Sequence, residues 1–387
     1  MPTALLAGAF GQGNLGDDAL LEAFVRGLPG WRLAVTTADP AGVERQGCDP
    51  VPARQAWRVA RRAYAADAVV VGGGTVFKTL HPLSGRRPQA LLANTSALVA
   101  LSSAAHRPVA MVGVGAGRLA ARPARTMARF IVRRADLLVL RDEESGTEMA
   151  RAGVPGPFRI GADPAWTLLG VPDRARASRD RSVRVIPSVM ATGADGWDAM
   201  VDRLADTARR LAATGTEVQL QPWQRGDRSL QRTDDGTVEA VARRAGPAVE
   251  VLPPPPSLRA AADSMAGLGA VLSYRFHGLV AAAAAGVPSV SVAHEPKLGA
   301  LARRLDQRAV PPDVRPADLV AAVLGALATP GPPPAAIKEQ IDRAEEGFRL
   351  LRVLLADGRS DEVDALGALP LVPSPGGPMS PSPEETR

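Results

Sequence analysis

Cysteine is nearly absent from this chain of 387 residues: Cys48 stands alone, so neither an internal disulfide nor a multi-thiolate metal centre can form. Histidine is almost as scarce, and His81, His106, His277 and His294 show no HxxxH or HExxH spacing, which argues against a dedicated zinc site. Aromatic residues make up 4% of the chain, too few for the stacking platforms that single-stranded nucleic acid needs. Lysine occurs only at 78, 297 and 338, so the formal charge of +6 is carried by arginine. Much of that arginine is interleaved with acid, as in Arg141-Asp142-Glu143-Glu144, and nucleic acid is not expected as a partner. Long hydrophobic runs are missing too. The nearest, Ala90 to Ala105, is broken by Asn94, Thr95, Ser96, Ser102 and Ser103 and reads as a core helix rather than a membrane span. The opening Met1-Pro2-Thr3-Ala4-Leu5-Leu6 lacks the charged region of a secretion signal. A cytoplasmic location is expected, with peripheral contact at the inner face of the membrane left open.

What is present suits an enzyme-sized globular protein: 46% of residues are apolar and 22% charged, with length for two domains. Short β-type runs alternate with helical stretches at Ala4–Ala9, Arg32–Thr36, Ala68–Val71, Val109–Val114 and Leu137–Leu140. They resume at Val183–Ile186, Glu217–Gln221, Val249–Leu252, Ala270–Tyr274 and Ser289–Ala293. That alternation predicts an α/β fold with parallel sheets covered by helices on both faces. The polar, Gly/Pro-punctuated Leu169-Gly170-Val171-Pro172-Asp173-Arg174 marks a boundary. We expect one domain over 1–170, a second over 175–330, a terminal helix over 335–357 and a Pro-rich disordered tail over 358–387. Pro253 to Pro256 reads as a rigid loop into a helix beginning near Ser257.

Three glycine clusters end apolar strands. Gly11-Gln12-Gly13-Asn14-Leu15-Gly16 is a literal GxGxxG opening a helix, with Asp39 near the position of a ribose-binding acid, and taken alone it signals a dinucleotide. Asp17 and Asp18 stand against that, because two carboxylates at the helix N-terminus repel a pyrophosphate. Gly72-Gly73-Gly74 and Gly113-Val114-Gly115-Ala116-Gly117 complete the set. Any one could be an ordinary tight turn, but three at strand ends imply backbone lining a common crevice. The second half adds charge: Arg275-Phe276-His277-Gly278 follows one strand, and His294-Glu295-Pro296-Lys297 follows the next. Together they predict a cationic pocket with a proton donor, since histidine as a residue type titrates near neutral pH.

These residues resemble the polysaccharide pyruvyl transferase family, collinearly over nearly the whole folded chain. Gly13-Asn14-Leu15-Gly16-Asp17-Asp18 looks like the family's Gly-Asn-x-Gly-Asp motif, Gly72-Gly73-Gly74 like its triple glycine and Gly113-Val114-Gly115 like its Gly-x-Gly turn. Arg141-Asp142-Glu143-Glu144-Ser145 resembles its Arg-Asp-x-x-Ser element, Ala162-Asp163-Pro164 its Asp-Pro, and Arg275-Phe276-His277 its Arg-x-His signature. Two positions depart: Lys78-Thr79 stands where many relatives carry Gln-Asp, and His294-Glu295-Pro296-Lys297 replaces the usual Tyr-Asp-Pro-Lys.

The resemblance implies two Rossmann-like domains in a GT-B-like arrangement, phosphoenolpyruvate as donor and a glycan or lipid-linked sugar as acceptor, with no redox cofactor and no obvious need for metal. The chemistry then assigns His277 as proton shuttle, with Arg275 and Lys297 on the donor's anionic groups. Gly13, Asn14, Asp17, Gly73, Gly74, Gly115, Arg141, His294 and Glu295 are expected at the substrates. Arg141 either contacts substrate or pairs with Asp142 or Glu144. The rival readings are a nucleotide-sugar glycosyltransferase in which Glu295 holds a ribose, a dinucleotide-dependent oxidoreductase and a non-catalytic relative.

Overall fold

The computed structural model describes residues 1–80, 87–154, 156–172, 180–189, 196–225 and 233–357. The expected tail at 358–387, the end of the expected boundary at 173–174 and the first residues of the expected second domain, 175–179, lie outside these residues.

The first half builds one sheet from β1 (Thr3–Phe10), β2 (Arg32–Thr37), β3 (Asp49–Pro52), β4 (Ala68–Gly72), β5 (Thr75–Phe77), β6 (Val109–Ala116), β7 (Leu137–Leu140) and β8 (Arg159–Ile160). Their order is β3-β2-β1-β4-β6-β7-β8, with β5 beside β6, and the ladders are parallel. The second sheet holds β9 (Ser182–Ile186), β10 (Glu217–Leu220), β11 (Glu250–Val251), β12 (Ala270–Ser273), β13 (Ser289–Val292) and β14 (Arg308–Val310) in the order β11-β10-β9-β12-β13-β14, again parallel. Burial on both faces explains why β4 reads Ala-Val-Val-Val-Gly without alternation: every residue in it is buried.

All ten expected strands form. Four more appear, β3, β5, β8 and β14, each of two to four residues and three of them at sheet edges, too short for a periodic signal.

On one face of the first sheet lie α3 (Ala56–Ala65), α4 (Ala90–Ala104) and α5 (Arg122–Arg134), whose buried residues share a core with Val69, Val71 and Met111. The other face packs α1 (Leu15–Gly27) and the terminal α13 (Pro334–Asp357), which returns from the second half to lay Phe348 edge-on against Phe24, centroids 5.1 Å apart. The same apolar cluster takes in α9 (Leu258–Met265) and α10 (Phe276–Ala284), so one core joins the two halves. The remaining helices are α2 (Pro40–Glu44), α6 (Glu143–Arg151), α7 (Gly196–Ala213), α8 (Asp234–Ala245), α11 (Pro296–Arg304) and α12 (Pro316–Leu327). Across the junction, Arg304 pairs with Glu143 and Glu144 of α6, and Arg343 of α13 bonds Glu143 at 2.6 Å.

Candidate active site

Strand order reverses between β1 and β4 in the first sheet and between β9 and β12 in the second, and ligands of open parallel sheets bind beyond strand ends at such points. The loops that leave β1, β4 and β12 carry Gly11–Gly16, Gly72–Gly74 and Arg275, and they face one another. Contact is close enough to require glycine at 16: a Cβ there would sit 2.1 Å from His277 Nδ1. Gly73, at φ +63°, lets α1 approach, since a Cβ would meet Leu20 at 2.5 Å.

The first glycine loop does not present an open phosphate cradle. Leu15 N–H donates to Trp223 O at 3.1 Å, Arg225 N–H donates to Gly13 O at 2.9 Å, and Asn14 bridges Gln224. Gly16 N–H donates to the capping Asn14 Oδ1 at 3.2 Å. The α1 N-terminus is thus closed by its own cap and by the segment after β10, which removes the physical basis of the dinucleotide reading.

Around this junction stands a chain of ionisable groups. His277, in the first turn of α10, places Nε2 3.3 Å from Oδ1 of fully buried Asp163. Burial would raise the Asp163 carboxyl, but His277 and Arg141 outweigh it and hold it below the carboxylate range. Asp17 accepts from Asn14 Nδ2 at 2.8 Å. Desolvation pushes its pKa up, although His277, Lys297 and Arg275 all pull the other way, so Asp17 holds its proton more tightly than an ordinary aspartate. The three residues expected to be catalytic therefore share one neighbour, Asp17.

Arg275 is turned toward protein. Its Nε donates to Asp234 Oδ2 at 2.6 Å and to Pro187 O at 3.3 Å, and its Nη2 donates to Gln224 Oε1 at 2.9 Å. Asp234 is fully buried and also accepts from Val189 N–H at 3.1 Å. The partner that neutralises Arg275 is thus already in the chain.

Beside this group opens a cavity of about 360 Å³ between the two halves, and Lys78, Arg118, Arg141, Glu295 and Lys297 reach its wall. Glu295 pairs with Lys297 and lies 4.0 Å from Lys78, crossing the cleft. The Lys297 ammonium holds the Glu295 carboxyl far below its usual range, while burial and the neighbouring Lys297 charge pull Lys78 below an ordinary lysine. The hydroxyls of Thr75 and Thr79 are buried at the same wall with no partner among the described residues. Arg141 donates from Nε to Asp142 Oδ2 at 2.9 Å and lies 4.7 Å over the Phe276 ring. Glu144 is taken instead by Arg303 and Arg304, so of the two ion-pair partners expected for Arg141 the structure selects Asp142.

Of the expected substrate residues, Arg141 and Glu295 line this cavity, while Asn14 and Asp17 belong to the adjoining ionisable group. Gly13, Gly73 and Gly115 serve close approach, to Arg225, Leu20 and Arg141 in turn, and Gly74 O accepts from Gly115 N–H at 2.7 Å. His294 donates from Nδ1 to Val292 O at 3.3 Å, and burial lowers its pKa to about 4, so it is neutral at physiological pH. Residues that sequence reading did not place at the site are Asp163 as the partner of His277, Asp234 as the partner of Arg275, and Lys78. Asp163 stood in the Ala162-Asp163-Pro164 motif and Lys78 was one of three lysines in an arginine-rich chain, whereas Asp234 carried no signal. No group of three His, Cys, Asp or Glu arranged to hold a metal occurs among the described residues, and no helix there is long and apolar enough to cross a membrane.

Comparison with solved structures finds the same two-sheet architecture in GT-B-type enzymes. UDP-GlcNAc 2-epimerase of Methanocaldococcus jannaschii, solved with UDP-GlcNAc and UDP, matches with a TM-score of 0.61 at 12% identity over 92% of this chain and 100% of that one. Anabaena Alr3699/HepE in complex with UDP-glucose gives 0.54 at 14% identity over 95% and 100%. A glycosyltransferase of Rickettsia africae gives 0.52 at 9% identity over 95% and 99%. Comparison with curated proteins found no match. The family model for polysaccharide pyruvyl transferase matches residues 14–296, a span running from the capping Asn14 to the first residue of α11 and containing the triple glycine, Arg141, Asp163 and the Arg275-Phe276-His277 segment. The chain belongs to the polysaccharide pyruvyl transferase family.

Proposed function

We propose that the protein transfers the pyruvyl group of phosphoenolpyruvate to two hydroxyls of a sugar in a cell-surface polysaccharide or its lipid-linked precursor, forming a cyclic ketal. The observation that carries this reading is the cavity between the halves, where Lys78, Arg141 and Lys297 converge beside two hydroxyls without a partner among the described residues, in a chain of this family. A small donor with a carboxylate and a phosphate matches that set. Glu295 marks the place of an anion: a donor that binds both lysines takes over its role.

In this reading the methylene carbon of the donor gains a proton, leaving a cationic enol carbon stabilised by its oxygen. One sugar hydroxyl adds there and loses its proton. The carbon–oxygen bond to phosphate breaks, phosphate leaves with one proton, and the second hydroxyl closes the ring and loses its own. Two protons are released by the hydroxyls and two are taken up, by the methylene and the phosphate, so the sum balances. His277, whose Nε2 meets Asp163 and whose Nδ1 packs at Gly16, is assigned delivery of the methylene proton. The raised pKa of Asp17 makes it the second group able to hold that proton. Arg275, anchored by Asp234 and Gln224, fixes the start of α10 and so positions His277 rather than binding the donor.

The test is a thermal-shift comparison of phosphoenolpyruvate, a UDP-sugar and NADH, followed by phosphate release with a glycan acceptor. Phosphoenolpyruvate alone should stabilise the protein, and phosphate should appear only with acceptor. His277→Asn should keep donor binding and lower turnover by about a hundredfold, whereas Lys78→Ala and Lys297→Ala should weaken donor binding by about tenfold or more. Release of UDP from a sugar donor would transfer the assignment to a glycosyltransferase. Normal turnover in His277→Asn with loss in Asp17→Asn would move the proton to Asp17.

A further inference from the structure

The helices α3, α4 and α5 lie side by side on one face of the first sheet, and their outward surface has an unusual composition. The α3 sequence carries three arginines, α5 carries five, α4 carries no charge, and none of the three contains an aspartate or glutamate. Among the described residues only Arg62 of these eight pairs with a carboxylate, Asp49 at 3.6 Å. Two large aromatic side chains are also left in solvent here: Trp57 is 61% exposed and Tyr64 59%. Trp57, Arg61 and Tyr64 stand at i, i+4 and i+7, one stripe of α3, and Arg122, Arg125, Arg129 and Arg133 form a stripe along α5. The Arg58 and Arg61 guanidinium groups sit 5.2 and 6.0 Å from the Trp57 ring, and that of Arg134 sits 5.5 Å from Phe130.

We infer that this face docks the protein on an anionic lipid surface, with α3 and α5 against the headgroups and Trp57 and Tyr64 seated in the interface. Exposed tryptophan and tyrosine are stable where one end of the ring is apolar and the other wet, which is the headgroup layer. Arginines without internal carboxylates supply the attraction to anionic lipid. A second copy of this chain is a poor occupant, because the face would meet its own positive charge.

The orientation also suits the cleft. All helices that follow parallel strands begin at the strand ends that carry the site, so Trp57 and Arg122 lie at the cleft edge of the face, and α5 starts two residues after Ala120, which lines the cavity. A protein lying on this face turns its cleft toward sugars carried at the bilayer. The docking surface itself stands apart from the donor assignment, since it needs neither phosphoenolpyruvate nor turnover.

The experiment is co-sedimentation of the full-length protein with vesicles of phosphatidylcholine alone and of phosphatidylcholine mixed with phosphatidylglycerol. Binding should be at least about tenfold stronger to the mixed vesicles and should fall with added salt. The double variants Arg58→Glu/Arg61→Glu and Arg129→Glu/Arg133→Glu should each reduce it by about tenfold or more, and Trp57→Ala/Tyr64→Ala should reduce the salt-resistant part. Arg243→Glu, on an exposed face of the second half, should bind as the unaltered protein. Equal binding to both vesicle types, or no dependence on these residues, overturns the inference. Retention on single-stranded RNA in place of vesicles, lost in the same arginine variants, would make the face a nucleic-acid surface instead.

Discussion

Asp18 and His294 act in opposite directions across one pH window. Burial, then the charges of Asp17 and Asp39, raise Asp18 from 3.8 to about 6, so the folded state binds its proton more tightly than the unfolded chain. The stability this contributes is complete below about pH 4 and is lost as pH rises to 6. His294 is the reverse: burial lowers it from 6.5 to about 4, so its contribution is complete above pH 6.5 and is lost as pH falls toward 4. In melting curves collected from pH 4 to 7, Asp18→Asn should gain on the parent as pH rises and His294→Gln should lose on it. The helix-dipole benefit that Asp18 gives α1, about 0.3–1 kcal/mol, is smaller than the cost implied by a shift of about two units, so Asp18→Asn should melt higher at neutral pH. The site was only half legible in the sequence for a reason visible in these residues. Glycine turns and the Arg-x-His signature are local and announce themselves. The partners that decide what Arg275 and His277 do, Asp234 and Asp163, lie 41 and 114 residues away; Asp234 carries no local signal, and the Asp163-Pro164 motif does not announce its pairing with His277.

Helix α6 shows how one element serves the cleft. Asp142 caps it, accepting from Ser145 N–H at 2.8 Å, and the same carboxylate holds the buried Arg141. Losing the cap alone costs about 1 kcal/mol, whereas leaving a buried arginine without its partner costs about 3–5 kcal/mol, so the ion pair dominates. Asp142→Ala should therefore lower stability by several kcal/mol in denaturant melts, and Asp142→Asn, whose single amide oxygen can keep the Ser145 cap but sets an NH2 donor against Arg141 Nε, should recover only the cap's share of that loss. Elements were read from the sequence in proportion to their length and burial. β4 and β6 are continuous apolar runs and stand out. β3 is Asp-Pro-Val-Pro, a turn by composition that becomes an edge strand only because β2 offers it a ladder. The first turn of α10 is hidden in the sequence, where Arg275-Phe276-His277 reads as a strand end, although Phe276 and His277 already belong to the helix.

At the scale of the molecule, α13 ties the halves into one body. Phe348 is buried against Phe24 and Gly27, and Arg352 Nη1 donates to Gly27 O at 3.0 Å across 325 residues of chain. Phe348→Ala should cost about 3–5 kcal/mol, the range for truncating a buried phenylalanine, and should shift the melting of the whole protein rather than of the second half alone. Failure to move the first half's transition would show that α13 is a passenger. The return of this helix also orders events at the ribosome. The first sheet can be translated and hydrogen-bonded early, yet the apolar surface around Phe24, Val112 and Val139 is not fully covered until residues 334–357 have been made. For most of its translation the nascent chain carries an exposed hydrophobic face, the kind of surface on which chaperones dwell and neighbouring chains aggregate. The making of α13 is thus the step that releases the polypeptide from that hazard.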